Sequence, residues 1–319
     1  MTAHAPLVCV ATGELLDPDL RTRDGSRYPA IDGVAVVVHQ PAVFMARHSP
    51  QWRTDLPWSV SLPEPLPVDA PDLLTPHLSP GELAQLARDD GAPAAWCDLL
   101  AGLDGDSPAA VCARWGAELA PDGPTLDLGC GVAVMGRLMA AQGRFVTLVD
   151  RSPRAVLMAR DLLAGRLPEA WVPDERGGCR VLPAGYLRVA DRDRLRFVVA
   201  DALDLPFPPA SFAWIHLGNL VDMVDGAVDG LLDGVADALM PGGLLTLSTP
   251  HDVDLPPMMG GVDPSGSLRD LLAHAGLDLI TERDPVPWVV RQYRRGYRLL
   301  LADCLAARRP LQPVPGGRG

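Results

Sequence analysis

The sequence predicts an α/β fold: a largely parallel sheet with helices on its faces, preceded by a small β-rich N-terminal module. Two observations carry this expectation. From Pro124 onward, apolar strand-like runs alternate with helical stretches, the runs being Thr125–Leu128, Phe145–Val149, Phe197–Val199, Phe212–Leu217 and Leu244–Ser248. Strands separated by helices and short turns are the pattern of parallel crossovers. The first run also passes through Gly129-Cys130-Gly131 directly into a helical stretch from Val134 to Gln142, the strand–turn–helix entry of a Rossmann-like sheet.

In chain order, residues 1–50 read as short strands and turns, ending in the buried strand of YPAIDGVAVVV. Residues 51–120 read as a linker or lid followed by helices. The stretch from Pro50 to Pro71 is rich in proline and carries Trp52 and Trp58. Ser79-Pro80-Gly81-Glu82 then places Ser three residues before Glu, with Pro at the first helical position, which is a capping box. Leu83, Leu86 and Ala87 mark one face of that helix, and Ser107-Pro108 opens another carrying Val111, Trp115 and Leu119. The α/β domain spans 121–310. Within it, Leu167 to Arg194 breaks the rhythm and is expected to insert a hairpin or short helix over the carboxyl edge of the sheet. Residues 311–319 form a tail expected to be disordered.

Composition narrows the function. The formal net charge is −12, and every basic side chain is arginine. An acidic chain lacks the positive face that phosphate backbones require, so no nucleic-acid partner is expected, although RQYRRGYR at Arg291 to Arg298 is a short basic patch. No apolar run is long enough to span a membrane, and the N-terminus does not read as a signal peptide, so the expected location is the cytoplasm. Six cysteines at irregular spacings, without a CxxC pair, predict free thiols and no metal site.

The candidate chemistry begins at Asp127-Leu128-Gly129-Cys130-Gly131. Glycines after a strand allow a tight turn and let backbone N–H groups approach a ligand. Asp150 ends the next strand nineteen residues after Gly131, where a carboxylate can accept both hydroxyls of a ribose. A nicotinamide cofactor would call for the same acid. Asp127, two residues before the first glycine, suits a cationic ligand over a pyrophosphate.

These residues resemble the motifs of class I S-adenosylmethionine (SAM)-dependent methyltransferases. DLGCG is similar to the first motif of that family, and LVDRSP, with Asp150 and Arg151, to the ribose-binding segment. VVADALDLPF is similar to the third motif, which implies that Asp201 meets the adenine amine and the Ala202 amide meets the ring. LMPGGLLTLS is similar to the fifth-strand motif. The resemblance covers Pro124 to about Arg309 and implies SAM as cofactor, held by Asp127, Gly129, Cys130, Gly131, Asp150, Arg151, Asp201, Ala202 and Asn219.

Two narrower resemblances follow. Tyr28-Pro29-Ala30-Ile31-Asp32-Gly33-Val34 is similar to the end of a zinc-ribbon-derived module found in tRNA methyltransferase activators. Of its metal ligands only Cys9 is present, with Thr12, Arg21 and Asp24 at the other places, so the module is expected to be degenerate and metal-free. Gly218-Asn219-Leu220-Val221-Asp222, Ser248-Thr249-Pro250, Gly260-Gly261 and the segment from Asp284 to Arg291 resemble the thiohistidine N-methyltransferase domain of ovothiol biosynthesis. That resemblance implies an amino-acid-like substrate.

On the substrate side, Asn219 is a candidate for orienting SAM or an incoming amine, and Asp222 for binding an ammonium or taking a proton. Tyr186 is a candidate for a cation–π contact with the sulfonium. Arg291 and Tyr293, with Arg294, are candidates for a carboxylate clamp. His251 reads as a loop histidine or a base, and His216 as a hydrogen-bonded core residue. The expected activity is N-methylation of a small amino-acid-like metabolite, of the kind met in natural-product biosynthesis. The alternative is a SAM-consuming lyase or cyclase that releases methylthioadenosine and a cyclised amino acid. A third reading is a non-catalytic SAM-binding partner subunit. A homodimer fits all three.

Overall fold

The computed structural model describes residues 4–49, 78–103, 107–167, 169–173, 179–224, 227–251 and 264–311. The proline-rich segment with Trp52 and Trp58, the Gly260-Gly261 pair and the tail beyond Leu311 lie outside the described residues.

The parallel heart of the sheet forms where the apolar runs predict it. Strands β3 (Thr125–Leu128), β4 (Val146–Asp150), β7 (Leu195–Val199), β8 (Phe212–Gly218) and β9 (Leu239–Thr249) run parallel, in the order β7-β4-β3-β8-β9. Two further strands lead in at one side, β1 (Ala30–Ile31) and β2 (Val34–Val36). A long antiparallel hairpin of β10 (Asp278–Tyr293) and β11 (Gly296–Arg308) closes the other side, giving β1-β2-β7-β4-β3-β8-β9-β11-β10. A separate hairpin of β5 (Glu169–Pro173) and β6 (Cys179–Pro183) fills the predicted insertion.

Alternate side chains of the strands bury on opposite faces, as a period of two requires. Leu126, Leu128, Ile215, Leu217, Leu245 and Leu247 pack on one face against α7 (Val228–Ala238) and α8 (Pro264–His274). Leu148, Trp214, Leu244, Cys304 and Ala306 pack on the other against α4 (Pro108–Leu119) and α5 (Val134–Ala141). Helix α6 (Pro153–Leu163) covers β4 and β7 on that second face.

Before α4, helix α2 (Pro80–Asp89) starts at the predicted capping box, with Ser79 and Glu82 exchanging both hydrogen bonds. It packs with α3 (Ala94–Gly102) around Leu83, Ala84, Ala87, Cys97 and Leu100, and Val289 and Tyr297 of the long hairpin close that cluster.

The N-terminal residues are built into the main sheet. Strand β2 pairs in parallel with β7, Ala35 opposite Val198 and Val36 opposite Val199. Between β7 and β8, residues 200–211 contain no helix. The vacant face is covered instead by Ala5, Leu7, Cys9, Tyr28 and Val37, which pack with Phe207 and Phe212, and Val8 N–H donates to the Pro206 carbonyl at 3.0 Å. Local hydrogen bonds hold this segment. Asp24 accepts from the Thr22 hydroxyl and the Ser26 N–H, and Cys9 Sγ lies 3.3 Å from the Tyr28 hydroxyl. After β2, Gln40 turns the chain through a left-handed conformation (φ +47°) into the short helix α1 (Pro41–Arg47). Among the described residues no helix is long and apolar enough to cross a membrane.

Candidate functional site

The glycine turn forms because the backbone after β3 must reverse within three residues. Gly129 (φ +72°) and Gly131 (φ +49°) take left-handed conformations, and Ala133 (φ +62°) follows them into α5. A side chain at Gly129 would press on Leu220 at 3.0 Å, whereas the space beside Gly131 is open. The turn is pinned from below, with the N–H groups of Gly129 and Cys130 both donating to the Val149 carbonyl at 2.8 and 2.9 Å.

Two carboxylates hold this loop. Asp127, 2% exposed, accepts the Gly136 N–H of the first turn of α5 at 2.8 Å. Burial pushes its pKa up to about 7, against the pull of that N–H, and the nearby Asp150 charge adds to the rise. Asp150 accepts the Gly131 N–H at 2.9 Å with one oxygen and the Ser152 N–H at 2.8 Å with the other. Burial raises its pKa and those donors oppose the rise. The buried thiol of Cys130 feels the charge of both acids. Burial first, then Asp150 and Asp127, hold its pKa well above the ordinary value. It is therefore a neutral thiol and a weak nucleophile.

The loop opens on a cavity of about 230 Å³. Its polar floor is Asp127, His216, Asn219 and Ser248, from the carboxyl ends of three adjacent strands. Its apolar walls include Leu83, Pro108, Met135 and Trp288. Register explains the floor: Asp127 stands opposite His216, His216 opposite Thr246, and Gly218 opposite Ser248. Asn219 reaches the cavity from a left-handed backbone (φ +54°), its N–H bonded to the Ser248 carbonyl at 2.8 Å and its Oδ1 accepting from Ser248 Oγ at 3.4 Å.

His216 is buried and hydrogen-bonded, as its apolar strand implies, with Nδ1 3.0 Å from Thr246 Oγ1, which also accepts the Trp214 indole N–H at 2.9 Å. Its ring lines the cavity as well, a role the sequence did not suggest. Burial lowers its pKa to about 3, so it is a neutral imidazole. Trp288 and Pro108 were also missed as cavity residues. They arrive from the hairpin and from α4, distant in sequence, and no local spacing announces them.

Other candidates lie elsewhere. Arg291 is 1% exposed and ion-paired at 2.5 Å with the equally buried Asp90 at the end of α2. It fastens the hairpin to the helical pair and does not line the cavity, because the apolar cluster beneath draws that stretch of β10 inward. Tyr293 stands at the hairpin tip, opposite Gly296. Tyr186 is 53% exposed on a 3-10 turn (Gly185–Leu187) whose Leu187 is the buried anchor, and it does not line the cavity. Asp222, in the 3-10 turn Val221–Met223, accepts the Thr249 hydroxyl at 2.5 Å and does not line the cavity either. His251 Nε2 is 3.0 Å from the buried Asp303 carboxylate.

Asp201 and Arg151 border a second cavity, of about 300 Å³, at the same edge of the sheet. Asp201 accepts the Leu203 N–H at 3.1 Å and lies 3.8 Å from the Arg151 guanidinium. Ala202, partly buried, follows it in the loop after β7.

The residues present fit SAM. Asp127 is a buried carboxylate raised toward neutrality, a state that a cationic ligand relieves. The open side of Gly131 admits a ligand close to the backbone. Asp150 stands at the end of the strand beside the loop.

Residues 104–282, more than half of the chain, match a family described as methyltransferase domain. No curated protein matches the chain. Among solved structures, one concerned with conversion of a disulfide bond into a thioacetal group during echinomycin biosynthesis is 19% identical, covering 65% of this chain and 90% of its own, with a TM-score of 0.46. The 4+2 cyclase SpnF is 18% identical over 66% of this chain and 85% of its own, with a TM-score of 0.45. A SAM-dependent methyltransferase from Methanosarcina mazei is 20% identical over 60% of this chain and 94% of its own, with a TM-score of 0.42.

Proposed function

We propose that this chain, a SAM-dependent transferase that belongs to the methyltransferase-domain family, N-methylates a small amino-acid-like acceptor. One observation carries the choice of acceptor. Beyond the Asp127 carboxylate, which faces the cationic end of SAM, the floor of the first cavity offers a neutral imidazole, an amide and a hydroxyl, and among its described lining residues there is no arginine. Such a floor accepts hydrogen bonds from an amine and offers no fixed cation to a phosphate or a polyanion. The cavity of about 230 Å³ takes the cationic end of SAM beside Asp127 and the acceptor beside Asn219 and Ser248, which leaves room for a small amine.

When bound, SAM supplies a methyl group already activated on a sulfonium. The chain's own task is alignment and exclusion of water. Asp127 and the Gly129–Gly131 backbone hold the cationic end. Asn219 and Ser248, locked to one another, direct lone pairs toward the acceptor amine. His216, held neutral, accepts or donates a hydrogen bond without competing as a charged group. Pro108, Leu83 and Trp288 keep the nucleophile dry. The acceptor nitrogen gains the methyl group as a carbon–sulfur bond breaks, and the new ammonium sheds its proton to solvent.

The test is incubation of the purified protein with methyl-labelled SAM and a panel of amino acids that includes thiohistidine. An N-methylated amino acid and S-adenosylhomocysteine in equal amounts are expected. Methylthioadenosine formed from SAM alone would replace transfer with cyclisation, and no product across the panel would sink the proposal.

A further inference from the structure

We infer that the N-terminal module is part of the cofactor site, with Val43 and Phe44 of α1 forming the apolar wall against which the adenine ring of SAM lies. The inference rests on the reading of the chain as a SAM-dependent methyltransferase and adds the part that binds the nucleoside.

Strand direction places the module there. Because β2 runs parallel to β7, and β7 to β4 and β3, the carboxyl end of β2 emerges at the same edge of the sheet as the glycine loop and Asp150. Ligands of open parallel sheets bind at that edge. The chain then turns at Gln40, so that α1 faces the loops after β4 and β7 across the cavity of about 300 Å³. Val43 and Phe44 line it from the module side, and Arg151 and Asp201 from the opposite side. His39 Nε2 is 2.7 Å from Asp204 Oδ2, which latches the module to the loop after β7 at the cavity rim.

The chemistry of the walls selects a purine. The cavity sets the apolar Val43 and Phe44 against two carboxylates, Asp201 and Asp204, whose charge Arg47 and Arg151 offset; acceptors beside an apolar wall, with no net excess of either charge, suit a neutral aromatic ring with an exocyclic amine. Val132 of the glycine loop links the two cavities, since it lines the first and packs in the same apolar cluster as Phe44.

The test uses the full-length protein. Val43 is 54% exposed, so Val43→Asp spares the fold while placing a charge on the wall, and Phe44→Ala removes the ring. Calorimetric titration with SAM, S-adenosylhomocysteine and methylthioadenosine is expected to show one common loss of affinity, about tenfold in each variant. The melting temperature of ligand-free Val43→Asp should match the wild type. Affinities within about twofold of wild type for both variants would overturn the inference while leaving SAM binding intact. A wild-type protein that binds none of the three ligands would overturn the underlying reading, and this inference with it.

Discussion

Asp127 is a carboxyl group whose ligand-free state is uncomfortable. Its pKa of about 7, against an ordinary 3.8, means that the folded protein holds a proton there which the unfolded chain releases. Its contribution to stability is full below pH 3.8 and is lost as pH rises through about 7. A cationic ligand needs the carboxylate, so SAM affinity should rise between pH 6 and 7.5 and then level off, with proton release on binding in calorimetric titrations at the lower pH. Asp127→Asn should lose SAM affinity and gain thermal stability at pH 8 without ligand. Asn219 permits a cleaner separation of backbone from side chain. Its left-handed φ is one that glycine adopts freely, so Asn219→Gly should melt no lower than wild type yet lose about a hundredfold in kcat/KM, as expected when an orienting group is removed. The positions of Asp127, Gly129, Gly131, Asp150 and Asn219 at or just beyond strand ends were legible in the sequence, because each is fixed by its distance from an apolar run. His216 and Trp288 were not, because their place in the cavity follows from register between strands and from a hairpin folding back.

Among the elements, α4 helps shape the first cavity. A Cβ added at Gly116 would lie 2.0 Å from the Trp214 ring, so the helix rests directly on β8 with no room to spare. Gly116→Ala should cost about 1–3 kcal/mol in urea denaturation and raise KM for the acceptor, since Ser107 and Pro108 at the start of α4 line the cavity. The five parallel strands were legible from their apolar runs, and α2 and α4 from Ser79 and Ser107 as caps. The hairpin of β10 and β11 was not. Pro285 and Pro287 speak against a strand, and they are tolerated because β10 is the outermost strand, with one side unpaired. In the basic run from Arg291 to Arg298, Arg291 read as one arm of a clamp on a substrate carboxylate, whereas its buried ion pair is with Asp90.

For the molecule as a whole, the joining of β2 to β7 makes the N-terminal residues a component of the main core. Scanning calorimetry should therefore show a single transition for the module and the α/β sheet. Two separable transitions would contradict the shared cluster of Leu7, Tyr28, Phe207 and Phe212. The sequence suggested a module set apart because its turns and its Tyr28-Pro29 signature are local features, while its pairing partner is remote. That remoteness has a consequence in time. Val36 pairs with Val199, 163 residues later in the chain. At ordinary rates of synthesis, roughly 10–30 s pass between the emergence of the two. The valine-rich stretch from Val34 to Val38 thus leaves the ribosome well before its partner and must wait, apolar and unpartnered, until β7 is made.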